Sequence, residues 1–161
     1  MASRLLLIFS LCFLVFGIKG ACPYGAVASA DQKRCFLYLP FKADFLLADQ
    51  ICKQFGGNLS SILSAEDNDL INSLLRIQRV VLDESIWIGG TTIPDFKEWK
   101  WTSGKPFTER NIPSMLIGVD CLSAKITDIG MTWEPTKCCT ELAFVCETAT
   151  PKESVCPREL E

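Results

Sequence analysis

The sequence contains no histidine, and this absence removes the Ser-His and Cys-His pairs that commonly activate nucleophiles. It contains no Cys-x-x-Cys pair either, so its clustered cysteines do not read as a zinc site. Positive charge is not in excess. The formal net charge is -3, which argues against nucleic acid, whose binding depends on neutralising phosphates with Lys and Arg, and against a polybasic membrane-surface role. Beyond residue 20 no apolar run approaches the roughly 20 residues that a membrane helix needs. No carboxylate pair is flagged by its spacing as an acid and base, and there is no internal repeat or low-complexity tract. The chain is therefore not expected to be an enzyme.

The N-terminus shows where the chain is headed. Arg4 precedes an apolar run from Leu5 to Ile18 that ends in small residues at Gly20 and Ala21, the anatomy of a secretory signal peptide over residues 1–20. Its removal takes away Arg4 and Lys19, moving the formal charge from -3 to -5, and leaves about 140 residues, enough for one domain with its own core. Cys12 leaves with the signal. The remaining Cys22, Cys35, Cys52, Cys121, Cys138, Cys139, Cys146 and Cys156 form an even set in a secretory chain, which reads as disulfides. Counting alone leaves 105 pairings open.

Periodicity gives a hairpin, two helices and then several strands. Cys22, Pro23 and Gly25 lead to a strand-like Cys35-Phe36-Leu37-Tyr38-Leu39, consistent with a hairpin closed by a disulfide. Leu47, Ile51 and Phe55 then recur at helical spacing behind Asp44 as N-cap, Ala48 and Cys52 lie beside them, and Gly56-Gly57 end that helix. Cys52 is expected on the buried face, with its partner on a late strand. After a short extended link, Asn58 to Leu63, Ser64 and Asp67 have capping-box spacing ahead of Leu70, Ile71, Leu74 and Leu75; this second helix is expected to reach about Arg79. Ile86-Trp87-Ile88, Trp99-Lys100-Trp101, Cys121 to Ile126, Met131-Thr132-Trp133 and Leu142 to Cys146 read as strands. One of Trp99 and Trp101 is expected to face outward as a candidate stacking residue. The order predicts an α+β fold, with an irregular tail over residues 148–161.

Four local features together resemble the C-type lectin-like domain family, in its long, single-domain form. They are Cys22-Pro23-Tyr24-Gly25 with Cys35-Phe36; Cys52 followed by Gly57-Asn58-Leu59; Trp87-Ile88-Gly89-Gly90, where the family commonly has Leu in place of Gly90; and Cys121, Trp133 and Cys138 with the ending Phe144-Val145-Cys146-Glu147. The resemblance covers residues 21–147 and implies two helices packed on a mixed, mainly antiparallel, disulfide-stapled sheet. It implies the pairs Cys22 with Cys35, Cys52 with Cys146 and Cys121 with Cys138. Cys139 and Cys156 remain, and their pairing would hold the tail on the domain.

Sugar-binding members of such a family use calcium held by a Glu-Pro-Asn or Gln-Pro-Asp triplet and a Trp-Asn-Asp triplet. Calcium needs several carboxylate and amide oxygens together, but the loop before Cys121 reads Asn111-Ile112-Pro113-Ser114-Met115-Leu116-Ile117-Gly118-Val119-Asp120, and Trp133 is followed by Glu134-Pro135. No cofactor is expected. The candidate ligand surface is Lys105, Glu109, Arg110, Asn111, Met115 and Glu134, motivated by the apolar Met115-Leu116-Ile117 in a loop that would ordinarily be solvated; the alternative is that these side chains fill the core. Asn58-Leu59-Ser60 is a formal N-glycosylation acceptor, although the resemblance places this Asn inward. Three readings stay open: a secreted, calcium-independent module binding an extracellular glycan or protein, in defence or adhesion; a calcium-dependent lectin with atypical ligands; and an extracellular structural protein.

Overall fold

The computed structural model describes residues 21–94, 98–107 and 120–151. Residues 1–20, expected as signal peptide, and the tail from 152 onward, with Cys156, lie outside the described residues, as do Glu109, Arg110, Asn111 and Met115.

The chain forms β1 (Ala26–Ala28), β2 (Arg34–Ala43), α1 (Phe45–Gln54), β3 (Gly57–Leu59), α2 (Ala65–Ile77), β4 (Ser85–Thr91), β5 (Lys100–Trp101), β6 (Asp120–Thr127), β7 (Gly130–Lys137) and β8 (Leu142–Ala149). The eight strands share one sheet in the order β1-β2-β8-β4-β6-β7, with β3 added to β8 and β5 to β4. β4 and β8 run parallel, and the other pairings among the described residues are antiparallel. Both helices start where their caps predict. Asp44 accepts a hydrogen bond from Leu47 N, and Ser64 accepts one from Asp67 N, each satisfying an amide that the first turn leaves without a partner.

Two apolar clusters lie on opposite faces of the sheet. One joins Phe45, Ala48 and Cys52 of α1 to Trp87, Phe144 and Cys146 of the sheet; the other joins Ile71, Leu74 and Leu75 of α2 to Ile86, Ile126 and Trp133. The alternation of a strand explains the division, since Val145 and Cys146, like Ile86 and Trp87, point to opposite sides. The Cys52–Cys146 disulfide ties α1 to β8, Cys22–Cys35 closes the N-terminal hairpin and Cys121–Cys138 joins β6 to the end of β7, the three pairs that the resemblance implies.

Two expectations require correction. The inward stripe of α1 is Phe45, Ala48 and Cys52, with Asp49 also buried, while Leu47 and Phe55 are 48% and 56% exposed. The rotation follows from the disulfide, which turns Cys52 towards β8, and from Asp49, which accepts a hydrogen bond from Leu59 N at 3.2 Å and pairs with Lys53. Neither Trp99 nor Trp101 faces outward. Both are buried and both rings meet Phe107, because residues two apart in an extended chain share a face.

The glycines after Trp87 have a steric reason. A Cβ on Gly89 would lie 2.6 Å from the Leu59 carbonyl oxygen, and one on Gly90 would lie 2.7 and 2.8 Å from Leu122 Cδ2 and Cβ. Leu122 is fully buried and fills the space a side chain at position 90 would need, which accounts for the departure from leucine there. β8 also runs two residues beyond the expected domain end at 147.

Candidate functional site

β8 carries an acid on a core-facing position, and the site is built around it. Val145 and Glu147 share the face that packs towards α2, and Glu147 is only 4% exposed. A buried carboxylate needs a counter-charge and hydrogen bonds to persist as an anion. Three donors from Arg34 and Ser61 answer it. Arg34 Nη1 donates to Glu147 Oε2 at 3.2 Å, Ser61 N donates to the same oxygen at 3.0 Å, and Ser61 Oγ donates to Oε1 at 3.0 Å. Lys105 Nζ forms an ion pair with Glu147 Oε1.

Arg34 links this acid to a second one. Its Nη2 pairs with Asp67 Oδ2 at 2.5 Å, and its Nη1 also donates to the Ser61 carbonyl at 2.9 Å. The planar fork of guanidinium suits several acceptors at once in a way that an ammonium does not. Arg34 also stacks its Cζ 5.1 Å from the centre of the Phe36 ring. Burial alone would lower the pKa of this guanidinium; the hydrogen bond and charge of Asp67, followed by those of Glu147, outweigh it and leave the pKa above its ordinary value. Asp67 therefore has two roles: its backbone N–H is capped by Ser64, and its carboxylate accepts from Leu63 N at 3.0 Å as well as from Arg34.

These residues border a cleft of about 290 Å³ lined by Lys33, Arg34, Asn58, Ser103, Lys105 and Glu147, with the Gly56-Gly57 turn and Thr148-Ala149 completing its wall. Ser103 Oγ lies 2.6 Å from Ser61 Oγ, so the turn after β5 is fastened to the same network. The volume sits at the lower edge of small-ligand sites. Lys33 is exposed, and the Lys105 side chain is 31% exposed. The rim thus offers N–H donors on a chain whose total charge is negative.

Of the residues expected to bind ligand, Lys105 lines this cleft, whereas Glu134 is elsewhere. Glu134 lies opposite Ser123 in β6, on the α1 side of the sheet, and accepts a hydrogen bond from Ser85 Oγ at 2.8 Å. The structure does not bring the two together. Asn58 lines the cleft half-buried, while its neighbour Leu59 takes the core position. Arg34, Ser61, Asp67 and Glu147 were not singled out as site residues from the sequence. One signal was present: Phe-Val-Cys-Glu sets an acid two residues after a core valine, and a strand that buries Val145 also buries Glu147.

Calcium chemistry can be tested on the residues. Asp67, Glu147 and the Ser61 carbonyl are oxygens of the kind a divalent cation takes. They converge on the Arg34 guanidinium, with Lys105 as a second cation, so the carboxylate charge is already matched by the protein itself. Glu134 is bonded to Ser85, and no cluster of three metal-ligating side chains occurs among the described residues. Neither position fits a calcium ion.

Comparison with known proteins agrees with the fold. Residues 42–148 match the lectin C-type domain. The chain is 25% identical over 147 residues to a snaclec of Philodryas olfersii, covering 90% of each. It is 31% identical over 86 residues to lactose-binding lectin l-2 of Anguilla japonica, covering 53% of this chain and 48% of that one. Among solved structures, a calcium-independent type II antifreeze protein superposes with a TM-score of 0.63 at 28% identity, over 81% of this chain and 96% of that chain.

Proposed function

The chain belongs to the C-type lectin domain family, and on that premise we propose that it is a secreted module binding an extracellular glycan or protein ligand without calcium and without catalysis. One observation carries the calcium-independent part: the converging oxygens of Asp67, Glu147 and Ser61 are bound to Arg34, and Lys105 adds a second cation at Glu147. Displacing a guanidinium that holds two buried carboxylates would expose both charges in a poorly solvated site, so calcium gains no foothold there. A ligand instead meets the donors at the rim, Lys33, Lys105 and the Asn58 amide, together with the loop that follows Phe107.

Secretion is part of this reading. It is supported by the leader-like residues 1–20 and by three disulfides, which persist in oxidising compartments. Cys139 is exposed, and its thiol is free among the described residues, which leaves it available to pair with Cys156 and tether the tail. Asn58, half-buried beside an open cleft, is the acceptor for any N-linked glycan at this sequon. Roles in adhesion or defence fit such a module, and relatives that bind lactose or act as antifreeze proteins show how widely this frame is used.

The deciding experiment is a glycan array with the mature protein in millimolar calcium and again in chelator, with melting temperatures measured under both conditions. Retention unchanged by chelator, with an unshifted melt, is the expected outcome. A melt raised by calcium, or retention lost in chelator, would overturn the calcium-independent reading. No retention in either condition would restrict the ligand to a protein.

A further inference from the structure

Three cations, Lys33, Arg34 and Lys105, and one acid, Glu147, line the cleft. Adding Asp67, to which Arg34 is also paired, leaves one positive charge in excess on a chain whose net charge is -3. That excess is open to a ligand. Lys33 Nζ makes no hydrogen bond or ion pair among the described residues, and the half-buried Asn58 side chain in the cleft wall makes none either. Asp31, two residues before Lys33, is exposed and does not line the cleft; its carboxylate accepts from Ser29 Oγ and from Lys33 N rather than from the ammonium. Lys105 Nζ pairs with Glu147 Oε1 but is partly exposed, and an ammonium has three N–H groups. Glu147 also holds Arg34 and both Ser61 donors, so a ligand that shares Lys105 does not leave the acid bare.

The donors that remain decide the class of anion. Arg34 carries the planar fork that clasps a carboxylate best, and that fork is already occupied by Asp67, Glu147 and the Ser61 carbonyl. What a ligand meets is two ammonium point charges and an amide. Such groups suit a tetrahedral oxyanion, whose oxygens point several ways at once and need no bidentate partner. The rest of the wall is small or polar: the Gly56-Gly57 turn, Ser103, Thr148 and Ala149. No aromatic side chain lines it, so a sulfated tyrosine finds no apolar surface for its ring, whereas the hydroxyls of a sugar find polar neighbours. We propose that this cleft takes an extracellular glycan carrying a tetrahedral oxyanion, a sulfate or phosphate ester, received by Lys33 Nζ, Lys105 Nζ and the Asn58 amide. The inference rests on the glycan-binding reading and narrows it to acidic, esterified sugars.

Isothermal titration of the mature protein in chelator tests this with matched probes. They are chondroitin sulfate tetrasaccharide and its unsulfated form, which keeps the carboxylates; phosphorylated pentamannose and its neutral form; and a tyrosine-sulfated peptide. The expected result is that an ester-bearing sugar binds about tenfold or more tighter than its ester-free counterpart, and which pair shows the difference identifies the ester. Added salt weakens that binding, since the ammonium groups are open to solvent. Lys33→Ala lowers the affinity about tenfold at an unchanged melting temperature, because Lys33 is exposed, and Lys33→Arg retains it. Lys42→Ala removes the same charge from an exposed position at the far end of β2 and leaves binding as it was. Equal binding of esterified and ester-free sugars, tighter binding of the peptide, or indifference to Lys33→Ala would overturn the proposal. So would no binding of any probe: if the glycan array still retains other sugars, the ester alone is excluded, and if it retains none, the glycan reading falls with it.

Discussion

Replacing Arg34 with glutamine keeps much of the side chain's length and hydrogen-bonding capacity but removes its charge, and so isolates the electrostatic role of the network. The side chains of Asp67 and Glu147 are 3% and 4% exposed, and that of Arg34 is 13% exposed, so solvent screens them little. Removing one partner of a buried ion pair costs about 3–5 kcal/mol, since the remaining charge stays desolvated. Lys105 continues to match Glu147, and Leu63 N continues to donate to Asp67, which places the expected loss near the lower end, about 3 kcal/mol. For a domain of this size that corresponds to a fall of about 10 °C in Tm. Thermal and urea melts at neutral pH, with disulfides intact, measure it. Arg34→Lys should fall between the two proteins, because one ammonium cannot reproduce the fork to Asp67, Glu147 and Ser61. Combining Arg34→Gln with Asp67→Asn should recover part of the loss, and a double-mutant cycle isolates the coupling. A change in Tm below about 3 °C, roughly 1 kcal/mol, would refute the claim that Arg34 neutralises the buried carboxylates.

Two further predictions concern the frame. Gly90→Ala loses about 1–3 kcal/mol through overpacking, and Leu122→Ala does not rescue it because Leu122 Cβ is itself 2.8 Å from the new atom; urea melts of the single and double variants decide, and an undiminished Gly90→Ala protein would contradict the steric account. Stability should also decline in acid. Asp31 is held below its ordinary pKa of 3.8 chiefly by the Ser29 hydroxyl and then by Lys33 N, and Glu66 below 4.5 by its own backbone N–H and then by Ser64. A depressed carboxylate stabilises the fold above its unfolded pKa and loses that contribution as pH falls through the folded one, so the decline begins below about pH 4.5, and Asp31→Asn should flatten it in melts between neutral and strongly acidic pH.

The parts of the fold visible in the sequence are those governed by short-range rules. Asp44 and Ser64 announce their helices because a cap acts within three residues, and Gly56, at φ 79°, ends α1 by a local conformation that glycine favours. The facing of α1 was only partly visible: Cys52 reads as inward, as it is, but Leu47, Ile51 and Phe55 form as regular a stripe as Phe45, Ala48 and Cys52, and the choice between them is made by a disulfide to a residue 94 positions away. The same limit hid the site. Arg34 meets Asp67 33 positions on and Glu147 113 positions on, and nothing near Arg34 marks it as a buried cation. The acid in Phe-Val-Cys-Glu was the legible half: a carboxylate on the core side of a strand implies a cation, without saying which one.

That hidden cation also bears on how the cleft is held. Glu147 accepts from Arg34 and Ser61 on its inner side and pairs with Lys105 at the cleft, while Ser61 Oγ meets Ser103 Oγ. Ser103 and Lys105 belong to the segment that runs from Trp101 to Phe107 and leads into the expected binding loop, and Ser103 Oγ accepts from Lys105 N at 3.4 Å. The buried ion cluster and the entrance to that loop are therefore one hydrogen-bonded structure. The approach to that loop is set by protein cations, and loss of Arg34 reaches the cleft through Glu147. A rigid cleft wall of this kind lowers the entropy that any ligand binding there must lose.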